Sequence, residues 1–249
     1  MKRSALRGRC PAVRRCSVLG LVAVLALGGS AAAVDGYEAL RRTMVEKQVR
    51  QRGITRPDVL AAMEQVPRHL FVPESLRDEA YNDQPLALGP GRTIYQPYMV
   101  ALMTNLLDLK RGAKVLEVGT GTGYQAAVLS RVAREVYSIE IVEPVAAQAR
   151  KRLEVMGYNN VEVKSGDGYQ GWAEKAPFDA ILLSAAPPRT IPKPLLAQLR
   201  VGGKMVAPVG GFVQDLQVIT KTADGLEKRT VIPVRLQPMS GQVQDGKKK

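Results

Sequence analysis

Residues 114–125 read KVLEVGTGTGYQ, and this stretch decides the fold. A run of apolar residues from Val115 to Val118, broken by one acid at Glu117, ends in three alternating glycines, Gly119, Gly121 and Gly123. Near-continuous apolar runs are what strands buried on both faces of a parallel sheet look like. Glycines let the backbone turn sharply and approach a ligand closely. A helix predicted over 123–133 then presents free N–H groups and the positive end of its dipole to an anionic group. Strand, glycine turn and helix in that order predict a nucleotide-like ligand at the carboxyl end of the strand.

Working outward, strand-like runs at 113–119, 135–140, 161–165, 179–185 and 203–210 alternate with helical stretches at 123–133, 143–156 and 191–199. Alternation of this kind predicts a parallel sheet covered on both faces. Two more strand-like runs, 216–221 and 229–236, have little helix between them and predict an antiparallel edge. Upstream, 37–53 and 56–66 read as helices, with Gly53 as a stop and Pro57 in a first turn. Residues 68–96 are loop-rich, and 97–109 is again helical, with Met99, Leu102, Met103, Leu106 and Leu107 on one face. The expected architecture is one doubly wound α/β domain over 34–249. It comprises a helical and loop extension (34–110), a Rossmann-like core (111–240) and a basic tail (241–249).

The first 33 residues read as an address. Six cations (Lys2, Arg3, Arg7, Arg9, Arg14, Arg15) and no acid precede the apolar run Val18–Leu27, and Ala31 and Ala33 follow like an A-x-A cleavage site. Basic, apolar, small is the order of a secretory signal peptide. The competing readings are an uncleaved anchor over Cys16–Val34 and a mis-assigned start. Cleavage would lower the formal net charge from +13 to +7 and would remove both cysteines, Cys10 and Cys16. The expected location is periplasmic or secreted, or cytoplasmic if the start is mis-assigned, with no stable membrane association after cleavage. A single histidine, His69, and no cysteine in the mature chain argue against a His- or Cys-ligated metal. The modest charge and the lack of alternating aromatic and basic residues argue against a nucleic-acid partner.

The ligand is narrowed by three strand ends. Gly121, Gly123 and Ala126 satisfy the dinucleotide pattern, with Glu140 placed for ribose hydroxyls. The same Glu140 suits the ribose of S-adenosylmethionine. Glu117 makes the turn E-x-G-x-G-x-G, where a carboxylate suits the amino group of that ligand, and Asp167 in SGDG suits its adenine amino group. Trp172 and Phe178 read as core, and Asp179 as structural.

The chain resembles the protein-L-isoaspartate O-methyltransferase family over nearly all of residues 42–240. The resemblance is carried by MVEKQV, RPDVLAAMEQVPRHLFVP, AYNDQPLALG, GRTIYQPYMVALM, KVLEVGTGTGYQAAVLS, SGDGYQGW, APFDAILLSAAP and a closing V-x-L-x-P-M. It implies a seven-stranded methyltransferase fold and methyl transfer from S-adenosylmethionine to the free carboxylate of L-isoaspartyl residues in damaged proteins. It places the donor at Glu117, Gly119, Gly121, Gly123, Glu140, Asp167 and Gly168, and the substrate at His69, Thr93, Ile94 and Gln237, with no metal; His69 reads as a structural or cleft-lining residue rather than a proton carrier, because the reaction needs none. A monomer is expected. The family's T-I-S-Q-P segment reads Thr93-Ile94-Tyr95-Gln96-Pro97 here, so Tyr95 stands at the position of the family's active-site serine. Leu236-Gln237-Pro238 replaces an aromatic-Val-Pro segment, and Ser184 a threonine. Two rivals stay open: a donor-binding module that recognises damaged peptides without turnover, and a nicotinamide-dependent oxidoreductase.

Overall fold

The structure, a computed structural model, describes residues 36–89 and 91–242. The signal-peptide reading of 1–33 and most of the basic tail, 243–249, lie outside the described residues. The extension opens with α1 (Glu38–Met44), which runs on through a wide turn, Val45–Val49, and a tight one, Arg50–Arg52. It stops at Gly53, whose φ of +93° is the left-handed conformation that ends helices and favours glycine. Helix α2 (Pro57–Gln65) starts on its proline. The loop-rich segment holds two short tight-helical turns, Arg68–Phe71 and Glu74–Glu79, and a small antiparallel ladder of β1 (Leu86–Ala87) with β2 (Thr93–Ile94). Helix α3 (Pro97–Leu106) follows.

The core runs β3 (Lys114–Val118), α4 (Tyr124–Ser130), β4 (Glu135–Glu140), α5 (Glu143–Val155), β5 (Val161–Ser165), β6 (Phe178–Leu183), α6 (Lys193–Gln198), β7 (Leu199–Gly210), β8 (Gln214–Thr222) and β9 (Gly225–Val234). These seven strands form one sheet in the order β5-β4-β3-β6-β7-β8-β9. Pairing is parallel from β5 to β7 and antiparallel at β7–β8 and β8–β9. The doubly wound sheet and its antiparallel edge are as expected. Two strands begin four residues earlier than the sequence suggested, β7 at Leu199 and β9 at Gly225. Both leading segments are largely solvent-facing, so no apolar pattern marked them.

Side chains alternate across the sheet. Val115 packs with α4 and the N-terminal extension, while Leu116 and Val118 pack with Trp172, Phe178 and Leu195 on the other face. Asp179 is structural: it accepts from Lys114 N at 2.7 Å and pairs with Arg200 at 2.6 Å. Among the described residues no helix is long and apolar enough to cross a membrane.

Candidate active site

β3 neighbours β4 on one side and β6 on the other, and the chain leaves it in opposite directions across the sheet. Such a switch point leaves a crevice outside the carboxyl ends of the strands. A cavity of about 860 Å³ lies there, walled by residues that follow β3, β4, β5 and β6 and by residues 91–95 and 237–240.

One end is built from backbone. Gly119 has φ +99° and donates its N–H to Ile139 O at 2.8 Å. Gly121, at φ +53°, donates to Glu140 Oε2 at 2.9 Å, and a Cβ built on it would meet nothing within 4 Å. Glu140 Oε1 accepts from Val142 N at 3.1 Å, so two backbone N–H groups pin this carboxylate on the cavity wall. Gly123, at φ +86°, sits against Leu153, which a Cβ would approach to 3.2 Å. At Gly168, also on the wall, a Cβ would collide with Val118 Cγ1.

Two acids expected here stand behind the wall instead. Glu117 lies on β3 beside Ser138 of β4, and the two-residue period that puts Val118 on the wall turns Glu117 away. Its Oε2 accepts from the Ser138 hydroxyl at 2.5 Å, which in turn accepts from Thr120 Oγ1 at 2.5 Å. Thr120 does reach the cavity. Glu117 Oε1 has no partner among the described residues. Burial pushes this carboxyl up to about 8, against the pull of the Ser138 hydroxyl and with a further push from Glu140. Asp167 caps its own turn, accepting from Tyr169 N at 2.9 Å and from Gln242 N at 2.7 Å, and only its neighbour Gly168 lines the cavity.

The other end is stitched from distant segments. The Tyr95 hydroxyl donates to Ser184 O at 2.6 Å and accepts from Gln237 N at 3.1 Å. Gln237 Nε2 donates to Thr93 Oγ1 at 3.2 Å, and Gln237 O accepts from Ala186 N at 2.8 Å. Burial pushes the Tyr95 phenol up to about 12, so it keeps its proton at neutral pH. Thr93, Ile94, Tyr95 and Gln237 therefore meet on one wall.

His69 does not join them. Its ring stacks on Tyr37 with centroids 4.1 Å apart, and Nδ1 bonds the Tyr81 hydroxyl at 2.7 Å. The tight turn Arg68–Phe71 sends Phe71, Val72 and Pro73 to the cavity while His69 and the fully buried Arg68 face inward. His69 is thus a packing residue of the extension. Sequence reading missed Gln148 and Arg152, which line the cavity from α5 with Val145 at a three- and four-residue spacing that marks one helical face. It also missed Arg92. Arg152 donates to Thr122 O at 2.9 Å. Among the described residues no cluster of His, Cys, Asp and Glu is placed to hold a metal ion.

Residues 39–244 match the family model for protein-L-isoaspartate (D-aspartate) O-methyltransferase. The chain belongs to this family. A protein-L-isoaspartate O-methyltransferase from a Picosynechococcus species is 55% identical over 207 residues, covering 83% of this chain and 93% of that one. A solved protein-L-isoaspartate O-methyltransferase is 28% identical with a TM-score of 0.73, over 81% of this chain and 67% of that one. A candidate protein-L-isoaspartate O-methyltransferase from Plasmodium falciparum, solved with S-adenosyl-L-homocysteine, is 26% identical with a TM-score of 0.68, over 80% of this chain and 98% of that one. The span shared with the protein-L-isoaspartate O-methyltransferase family contains both ends of the cavity.

Proposed function

We propose that this chain transfers a methyl group from S-adenosylmethionine to the free carboxylate of L-isoaspartyl residues in damaged proteins. The observation that carries the reading is one cavity that joins the Gly119–Gly123 turn and Glu140 to Thr93, Tyr95 and Gln237. The first end fits the donor by its chemistry. Gly121, where a Cβ would meet no protein atom, leaves the wall open to a close approach, and Glu140, pinned by two N–H groups, keeps lone pairs for ribose hydroxyls. Gly168 would lie against the donor, and Glu117 would act on its amino group only through Ser138 and Thr120. When bound, S-adenosylmethionine supplies an electrophilic methyl group on a sulfonium, and carboxylate attack forms the O–CH₃ bond as the C–S pair returns to sulfur.

Little else is asked of the protein. A carboxylate is already ionised at neutral pH and needs no general base. Catalysis then rests on holding the two groups in near-attack geometry and excluding water. Tyr95 serves this as a strut rather than as an acid or base, because its one proton is committed to Ser184 O. Thr93, Ile94 and Gln237 shape the acceptor wall. The released ester is a better electrophile than the carboxylate. The neighbouring backbone nitrogen expels methanol to close a succinimide, and water reopens it partly to normal aspartyl.

We also infer that the protein is exported and works as a monomer, free of stable membrane association. Export is supported by the charge order of residues 1–33. Turnover tests the function. With S-adenosylmethionine present, chromatography should show an isoaspartyl peptide passing through ester and succinimide to a mixture containing the aspartyl form. Donor binding without conversion would leave only a binding module.

A further inference from the structure

We propose that Arg92 is the group that draws in the acceptor carboxylate, and that it holds the substrate more tightly than the methylated product. This rests on the isoaspartyl reading above. The wall of the cavity carries two cations among the described residues, Arg92 and Arg152. Arg152 belongs to the donor end, bonded to Thr122 O in the glycine turn. Arg92 adjoins Thr93 on the acceptor end.

The neutral donors of that end are partly spent. Tyr95 has given its only proton to Ser184 O, and Gln237 Nε2 gives one of its two to Thr93 Oγ1. The side-chain donors left there are neutral: the hydroxyls of Thr93, Ser184 and Ser240 and one amide proton of Gln237. The Arg92 guanidinium, by contrast, makes one hydrogen bond, from Nη2 to Leu88 O at 3.2 Å, and no ion pair among the described residues. It is exposed, so its guanidinium can turn its remaining donors toward an incoming anion. A guanidinium matches a carboxylate with two parallel, charge-assisted hydrogen bonds.

The reaction itself then weakens this contact. A carboxylate of charge −1 becomes an uncharged ester, so the attraction to Arg92 is strongest in the ground state, weaker in the transition state and lost in the product. An interaction of that kind sets substrate affinity and release rather than the rate of the chemical step.

The test combines kinetics with binding. Steady-state rates on an isoaspartyl peptide are compared for the wild type, Arg92→Gln and Arg92→Lys. Calorimetry in the presence of S-adenosylhomocysteine compares that peptide with one whose isoaspartyl carboxyl is amidated. Arg92→Gln should raise KM roughly tenfold, keep or raise kcat, and flatten the salt dependence of kcat/KM. Arg92→Lys should recover part of the affinity, and neither variant should change the affinity for S-adenosylhomocysteine. The wild type should bind the carboxylate peptide roughly tenfold more tightly than the amidated one, a preference lost in Arg92→Gln. An unchanged KM, a kcat that falls while KM holds, or equal binding of both peptides by the wild type would overturn the proposal. The last comparison needs no variant and decides the matter even if Arg92→Gln folds poorly. Absence of methyl transfer by the wild type would instead sink the isoaspartyl reading itself.

Discussion

The two ends of the cavity are made in different ways. At the donor end, Gly121 and Glu140 are 19 residues apart and belong to one strand–helix–strand unit. At the acceptor end, Tyr95 reaches Ser184 across 89 residues and Gln237 across 142. The donor end is backbone geometry, held by glycine dihedrals and N–H groups. The acceptor end is side-chain stitching, and it exists only when the extension, β6 and the segment after β9 have all docked. A change at one end should therefore leave the other largely standing.

The largest break in that comparison is Gly121→Val. A β-branched residue resists a φ of +53°, and moving the N–H releases Glu140. Affinity for S-adenosylhomocysteine should fall on the order of 100-fold with the circular dichroism spectrum intact. Retained affinity would show that the turn does not hold the donor.

Glu117→Gln probes what lies behind the donor end. The folded carboxyl keeps its proton up to about pH 8, whereas the unfolded chain releases it near the ordinary 4.5. The folded state therefore binds more protons between these values, and wild-type stability falls as pH rises through that window. Below it the carboxyl has no effect on the pH slope. Urea unfolding at pH 5 and pH 8 should show the wild type losing about 3–4 kcal/mol more than Glu117→Gln over that range. Parallel pH profiles would mean that Glu117 ionises freely where it stands.

Tyr95→Phe should have the smallest effect, confined to the acceptor end. It leaves Ser184 O and Gln237 N unpaired, a loss of about 1 kcal/mol in stability. KM for the peptide should rise several-fold while donor affinity holds. Tyr95→Ser should act in the same direction, because a serine hydroxyl is too short to bridge both partners. A faster Tyr95→Ser enzyme would show that the phenol obstructs the acceptor rather than supporting the wall.

The same contrast explains what could be read from the chain. The buried strands and the glycine turn announce themselves locally, so β3 to β6, the doubly wound order and the positions of Gly119, Gly121, Gly123 and Glu140 were legible. Facing was harder. Glu117 and Asp167 belong to the motif but point at Ser138 and at backbone N–H groups, because a one-residue difference in a strand or turn reverses a side chain. His69 sits in a stretch shared by the family, yet its partners, Tyr37 and Tyr81, come from packing of the extension. Thr93, Tyr95 and Gln237 were found by resemblance, since nothing local joins residues so far apart. Arg92 and Arg152 were missed as ordinary exposed cations, although Val145, Gln148 and Arg152 did share a helical face.

The most direct measurement is initial-rate methylation of two peptides that differ only in one linkage, isoaspartyl against aspartyl, with labelled S-adenosylmethionine. The account predicts base-labile methyl incorporation into the isoaspartyl peptide and none above background into its aspartyl twin. Equal labelling of both, or labelling of neither by a protein that binds S-adenosylhomocysteine, would contradict it.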